Sequence, residues 1–252
     1  PPRVRPPAAI TPTPRVYRAA ASADGLTIAY VLGAPSAAAA ANFISSKVSD
    51  IFSLLGTVVL WVYWPSFVAG MAPAGTPDTE LQVVQTVLSL AAATFVTFAV
   101  SSLVSPEGNL KPVVIQNATL AGGVSIGILS STPLTAAGAL TVGSVAGALS
   151  TFGFAKVMPL LEKHGLHDTC GIHNLHGMPA ILGALLSVLI GFVPGSAFSP
   201  LAQLNGMLIT LVMAVGTGAL SAYAMMLFGD AAPRDRDASY WEVANAGERL
   251  SA

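Results

Sequence analysis

The stretch Asp168-TCGIHNLHGMPAILGALLSVLIGFVPGSAFSPLAQLNGMLITLVMAVGTGALSAYAMMLFG-Asp230 carries no Asp, Glu, Lys or Arg between its two end residues. A helix needs roughly 20 mostly apolar residues to cross about 30 Å of hydrocarbon. The gap is therefore long enough for two crossings. Pro194-Gly195-Ser196, followed by Ser199-Pro200, divides it as helix breakers do. Backbone amides and carbonyls in lipid must be satisfied within their own segment, so these crossings are expected to be helical. A membrane β-barrel would instead show alternating apolar and polar residues in stretches of about ten, and that pattern is missing.

Three further charge-free gaps lie upstream, Asp50 to Asp78, Glu80 to Glu107 and Lys111 to Lys156. The last is long enough for two crossings and breaks at Ser130-Ser131-Thr132-Pro133. The pattern predicts six spans, Ile51–Met71, Leu81–Val104, Pro112–Leu129, Leu134–Ala155, Gly171–Val193 and Ala202–Phe228. A seventh, weaker candidate is Leu26–Phe43, with Gly33 and Pro35 in its middle and an alanine run from Ala37 to Ala41. The chain divides into a Pro/Ala-rich N-terminal segment over 1–48, a six-helix transmembrane domain over 49–229 and a tail over 230–252. The fold class expected is an all-α membrane protein, a polytopic transmembrane helix bundle.

Composition agrees. Only 9% of the 252 residues are charged and 53% are hydrophobic, with mean hydropathy +0.69. A soluble domain carries about 25% charged residues. The net charge of −1 gives no reason to expect nucleic acid, and the single Cys170 excludes an internal disulfide. High apolar content excludes disorder for most of the chain. With six alternating spans, Lys47, Lys111, Lys156, Lys163, Arg234 and Arg236 fall on one side, which the positive-inside rule makes cytoplasmic, C-terminal tail included. The Pro-rich start, with no apolar stretch behind Arg3 and Arg5, does not read as a secretory signal. It reads as an irregular tail or as the interior of a longer gene.

All four histidines lie between His164 and His176. With Cys170 they recur every third residue, which invites a zinc-site reading. On one helix, however, positions 164 and 176 stand about 18 Å apart, whereas zinc ligands converge within about 2.0–2.3 Å of the ion. No metal or other cofactor is therefore expected, and a zinc-dependent membrane enzyme is the least favoured class. Asp168 or Thr169 is placed to cap the next helix. His173 and His176 then fall inside a charge-free span, where an ionisable group marks a pathway through the bundle. A neutral histidine bonded to a neighbouring helix is the alternative for His176. In Trp61-Val-Tyr63-Trp64-Pro-Ser-Phe67, Trp61 and Tyr63 read as an interface belt, while Phe67 reads equally as part of that belt or as facing a vestibule, where an aromatic face attracts a cation. Gln116, Asn117 and Thr119 put polar groups inside a span, where they need partners. Gly123-x-x-x-Gly127 and Gly143-x-x-x-Gly147 are spacings that let helices approach closely.

At these residues the sequence resembles a known family. Asp168-Thr-Cys-Gly-Ile-His-Asn-Leu-His-Gly177 is similar to the signature of the Rhesus-type (Rh) ammonia channels of the ammonium transporter family. Ser49-Asp-Ile-Phe52, Leu60-Trp-Val-Tyr-Trp-Pro-Ser-Phe67, Ile115-Gln-Asn-Ala-Thr-Leu-Ala-Gly-Gly123 and Tyr240-Trp-Glu-Val243 support it in order. The resemblance implies a homotrimeric channel of eleven or twelve helices, with a pore in each protomer between two inverted halves. It also implies a plasma-membrane location and no enzymatic activity. The six spans look like the second half of that fold. His176 matches the pore histidine of the tenth helix and Phe67 the inner gate phenylalanine; His173 and Asn117 are further pore-lining candidates. The family's other pore histidine follows a Thr-Ile pair, and here Thr27-Ile28 is followed by Ala29. Val68 replaces the second residue of the family's Phe-Asn pair. The expected function is passage of ammonia or ammonium by a truncated channel. Methylammonium and carbon dioxide are also small enough to pass. The alternative is a non-conducting subunit that joins full-length relatives.

Overall fold

The computed structural model describes residues 31–32, 47–72, 75–106, 108–132, 134–164, 166–168, 171–196 and 198–227. Helix α1 (Lys47–Val68) runs into a 3-10 turn, Ala69–Met71. Helix α2 (Pro77–Val104) starts with Pro at its first position and Asp78 and Glu80 in its first turn, where a missing N–H and negative charge are both favourable. Helices α3 (Pro112–Ala118) and α4 (Ala121–Ile126) follow. In α5 (Ala136–Phe152) the Thr135 hydroxyl caps the start by accepting from the Gly138 amide at 3.1 Å. A π-turn, Gly153–Val157, joins α5 to α6 (Met158–Lys163). A second π-turn, His173–Gly177, leads into α7 (Met178–Gly191), and α8 (Pro200–Leu227) ends the described chain.

Five helical stretches are long and apolar enough to cross a membrane: Lys47–Val68, Pro77–Val104, Ala136–Lys163, His173–Gly191 and Pro200–Ser221. They match five of the six predicted spans. The third, expected as one span over Pro112–Leu129, is apolar and helical over Pro112–Ile126 but interrupted. It is a shorter pair, α3 and α4, broken at Thr119-Leu120, and at 1.5 Å per residue Pro112–Ile126 reaches only about 22 Å. Thr119 and Leu120 keep right-handed angles, φ −63°, ψ −24° and φ −88°, ψ −11°, and residues 118–123 are all buried. The Thr119 hydroxyl donates to the Ile115 carbonyl at 2.7 Å. At the next break, the Gln85 amide donates to the Thr132 and Leu134 carbonyls, at 2.8 and 3.3 Å. The weak candidate Leu26–Phe43 lies outside the described residues except for Val31–Leu32. Those two are extended (strand β1) and pair antiparallel with Leu166–His167 (β2), Val31 opposite His167.

The bundle is apolar outside and small or polar inside, as expected when lipid and side chains are equally apolar. Phe95 and Leu103 on α2 are 78% and 83% exposed, whereas Gln85, Thr86, Ser89, Thr97 and Ser101 on the same helix are buried. That buried polar face lies against α5 and α4. A Cβ on Gly143 or Gly122 would strike the Ser89 carbonyl, and one on Gly147 would lie 2.6 Å from the Ala93 carbonyl. The Ser89 hydroxyl donates to the Gly122 carbonyl at 2.8 Å. Glycine at these positions is what lets three helix backbones meet. On the far side, α4 packs on α7, where the Ser125 hydroxyl donates to the Pro179 carbonyl at 2.7 Å.

Candidate functional site

The site is built from the chain on either side of His176. Asp168 is 6% exposed. Its Oδ1 accepts the Ile172 amide at 2.9 Å and its Oδ2 the His173 amide at 2.9 Å, so Asp168 binds the first amides of the helix from four residues upstream rather than as its N-cap residue. Burial pushes the Asp168 carboxyl above the ordinary carboxylate range, and the amides of His173 and Ile172 act in the opposite sense. Between them, Gly171 takes φ 70°, a left-handed conformation that favours glycine. A Cβ there would also meet the Phe154 ring at 2.6 Å. The π-turn that follows carries His176. Such turns hold one residue more than an α-helical turn and are frequent at functional sites.

His176 faces an open cleft of ≈ 1100 Å³ between the C-terminal half of α1, the helix pair α3–α4, and helices α7 and α8. Its ring lies 6.0 Å from that of Trp64, centroid to centroid. The Trp64 ring in turn meets Phe67 edge-on at 6.4 Å. Trp64 fits because position 123 is glycine: a Cβ there would lie 2.6 Å from the indole nitrogen. Leu120, Val124, Leu175 and Ile181 make much of the wall apolar, and Gln203 and Thr210 of α8 add polar groups. Gln203 Oε1 accepts from the Ser187 hydroxyl at 3.0 Å. His176 Nδ1 is buried and has no hydrogen-bond partner among the described residues. Phe67 is 80% exposed at the cleft wall.

Of the residues singled out in the sequence, His176 and Phe67 come together through Trp64. His173 and Asn117 do not line the cleft. The Asn117 amide donates to the Val113 carbonyl of its own helix at 2.8 Å, the kind of local partner an intramembrane amide needs. Trp61 turns inward, toward the neighbouring helices. Its indole N–H donates to the Thr94 hydroxyl at 3.2 Å, and its ring packs on the buried cluster of Leu90, Leu120 and Leu175. Tyr63 is 66% exposed and borders the cleft. Trp64, Leu120 and Gln203 escape sequence reasoning. Trp64 sits three residues before Phe67, on the same helix face, and that spacing was the available signal.

A family model described as the Ammonium Transporter Family matches residues 18–231. The chain belongs to the ammonium transporter family. It is 42% identical over 222 residues to the ammonium transporter Rh type B of Rattus norvegicus, covering 77% of this chain and 48% of that protein. The corresponding Bos taurus protein is 40% identical over 230 residues, covering 81% and 50%. The chain thus spans about half the length of the curated relatives it matches. Among solved structures it is similar to Rh50 of Nitrosomonas europaea, from the Rhesus protein family of channels, with TM-score 0.67 and 36% identity over 82% of this chain and 56% of that one. These relatives are of the Rh branch that the ordered sequence blocks resemble. As an ammonium transporter family member with apolar helices of spanning length, the chain is a multi-pass membrane protein.

Proposed function

We propose that this chain forms the second half of an Rh-type ammonia pore, with His176 as the pore histidine and Phe67 as the gate. The observation that carries this reading is the unpartnered Nδ1 of His176 in an apolar cleft that is open along one side. An apolar passage selects the uncharged species, because taking an ion out of water into low dielectric is costly. Ammonium reaching Phe67 meets the negative face of an aromatic ring. Ammonium gives up its proton to water at the mouth of the cleft, and the neutral ammonia passes Trp64 to the imidazole of His176. In its neutral form that ring donates at one nitrogen and accepts at the other, so it replaces water contacts without holding ammonia as a fixed charge would. A second half, equivalent to the portion of the relatives that this chain does not span, would close the cleft and supply the partner for Nδ1. The assembly is a trimer in the plasma membrane with a cytoplasmic C-terminal tail.

Methylammonium uptake tests this in cells lacking their own ammonium transporters. The chain is expressed alone and together with the separately encoded first half of an Rh relative, each with and without His176→Ala. Uptake should appear in the combination and fall with the substitution; uptake indifferent to His176→Ala overturns the pore assignment. A second reading is a non-conducting subunit within trimers of full-length relatives. It is favoured by the confinement of all four histidines to 164–176, which leaves the chain one histidine for a two-histidine pore. Mixed trimers on copurification, without uptake in any combination, would support that reading.

A further inference from the structure

We propose that Asp168 is the positioning residue of the cleft: its carboxylate sets the π-turn His173–Gly177 and thereby the placement of His176 against Trp64. The side chain is buried and holds three consecutive residues at once. It takes the amides of Ile172 and His173 at 2.9 Å each, and the side-chain amide of Asn174 reaches Oδ2 at 3.4 Å. Both carboxylate oxygens are engaged, which fixes the rotation of the group as well as its location.

Asn174 carries the constraint onward. It is fully buried, and its Oδ1 lies 2.6 Å from where a Cβ on Gly153 would stand. The π-turn bearing His176 is thus seated on the first π-turn, Gly153–Val157, with no room for a side chain between them. The other end is anchored independently, because the Ser125 hydroxyl binds the Pro179 carbonyl and Gly183 abuts the Ser125 backbone. His176 is strung between these two anchors. A π-turn holds one residue more than an α-turn, and one residue of helix is about 100° of rotation. Release of the Asp168 anchor lets the turn relax toward α geometry and swings the imidazole away from Trp64. The geometric role stands on these contacts alone; its consequence for transport rests on the proposed pore.

The test is fluorine NMR of the full chain labelled with fluorotryptophan, with the Trp64 resonance assigned by Trp64→Phe and helix content followed by circular dichroism. Asp168→Asn and Asp168→Glu should each displace the Trp64 resonance in the same sense as His176→Ala, with helix content unchanged. In the uptake assay, misplacement of the imidazole should reduce flux by at most the roughly tenfold expected for His176→Ala, the equivalent of one hydrogen bond. An unmoved Trp64 resonance in either folded variant overturns the proposal. Loss of helix content in both variants also overturns it, since Asp168 would then support the fold as a whole. A displaced resonance with uptake intact leaves the positioning role standing and removes His176 from the pore.

Discussion

His176 and Trp64 form a pair whose spacing depends on a residue with no side chain. Because a Cβ at position 123 would fall 2.6 Å from the indole nitrogen, Gly123→Val should push Trp64 off His176. Overpacking of this kind costs about 1–3 kcal/mol, visible as a lower thermal midpoint in detergent and a shift in tryptophan emission. Gly206, on the opposite wall of the cleft, has nothing within 4 Å of a Cβ. Gly206→Leu should therefore leave the midpoint unchanged within about 0.5 kcal/mol, as for an unencumbered surface position, while narrowing the cleft and lowering uptake. Equal destabilisation by the two substitutions would contradict this geometry. His176 stood out in sequence as an ionisable ring in a charge-free span, whereas Phe67 was singled out chiefly by its match to the family's gate position. Trp64 was not: one tryptophan among three neighbouring aromatics looks the same whether it faces lipid, core or cleft.

At the scale of the helices, the long charge-free runs read directly as spans, since length and apolarity are local properties of the chain. The break between α3 and α4 did not, because neither a proline nor a glycine marks Thr119-Leu120. The polar residues there give no long-range signal either, since the Asn117 amide and the Thr119 hydroxyl both bond back to carbonyls one turn earlier in the same helix. The two π-turns were equally hidden, for they depend on Asn174 meeting Gly153 across elements. Gln85 serves a comparable role, because its amide is bonded to carbonyls freed at the Thr132–Leu134 break. Gln85→Leu leaves those carbonyls without that donor, and the expected loss is about 1–3 kcal/mol for each buried group left unsatisfied. Gly143→Ala, which drives a methyl into the Ser89 backbone, should destabilise by a similar amount. Unfolding of both variants in a common detergent checks the pair, and a wild-type midpoint in either would count against the packing of α2 on α4 and α5.

For the whole molecule, the inverted distribution of polarity and the open cleft belong together. Phe67 stands exposed at the cleft wall, and Nδ1 of His176 has no partner among the described residues. The chain spans about half the length of its Rh type B relatives, and under the proposed function a complementary half covers that surface. The most direct test is methylammonium uptake by the chain combined with the first half of an Rh relative, compared with the same combination carrying His176→Ala. Uptake should fall by about tenfold on substitution, the equivalent of one hydrogen bond of roughly 1.4 kcal/mol. Uptake that proceeds at the same rate without the imidazole would contradict the pore assignment.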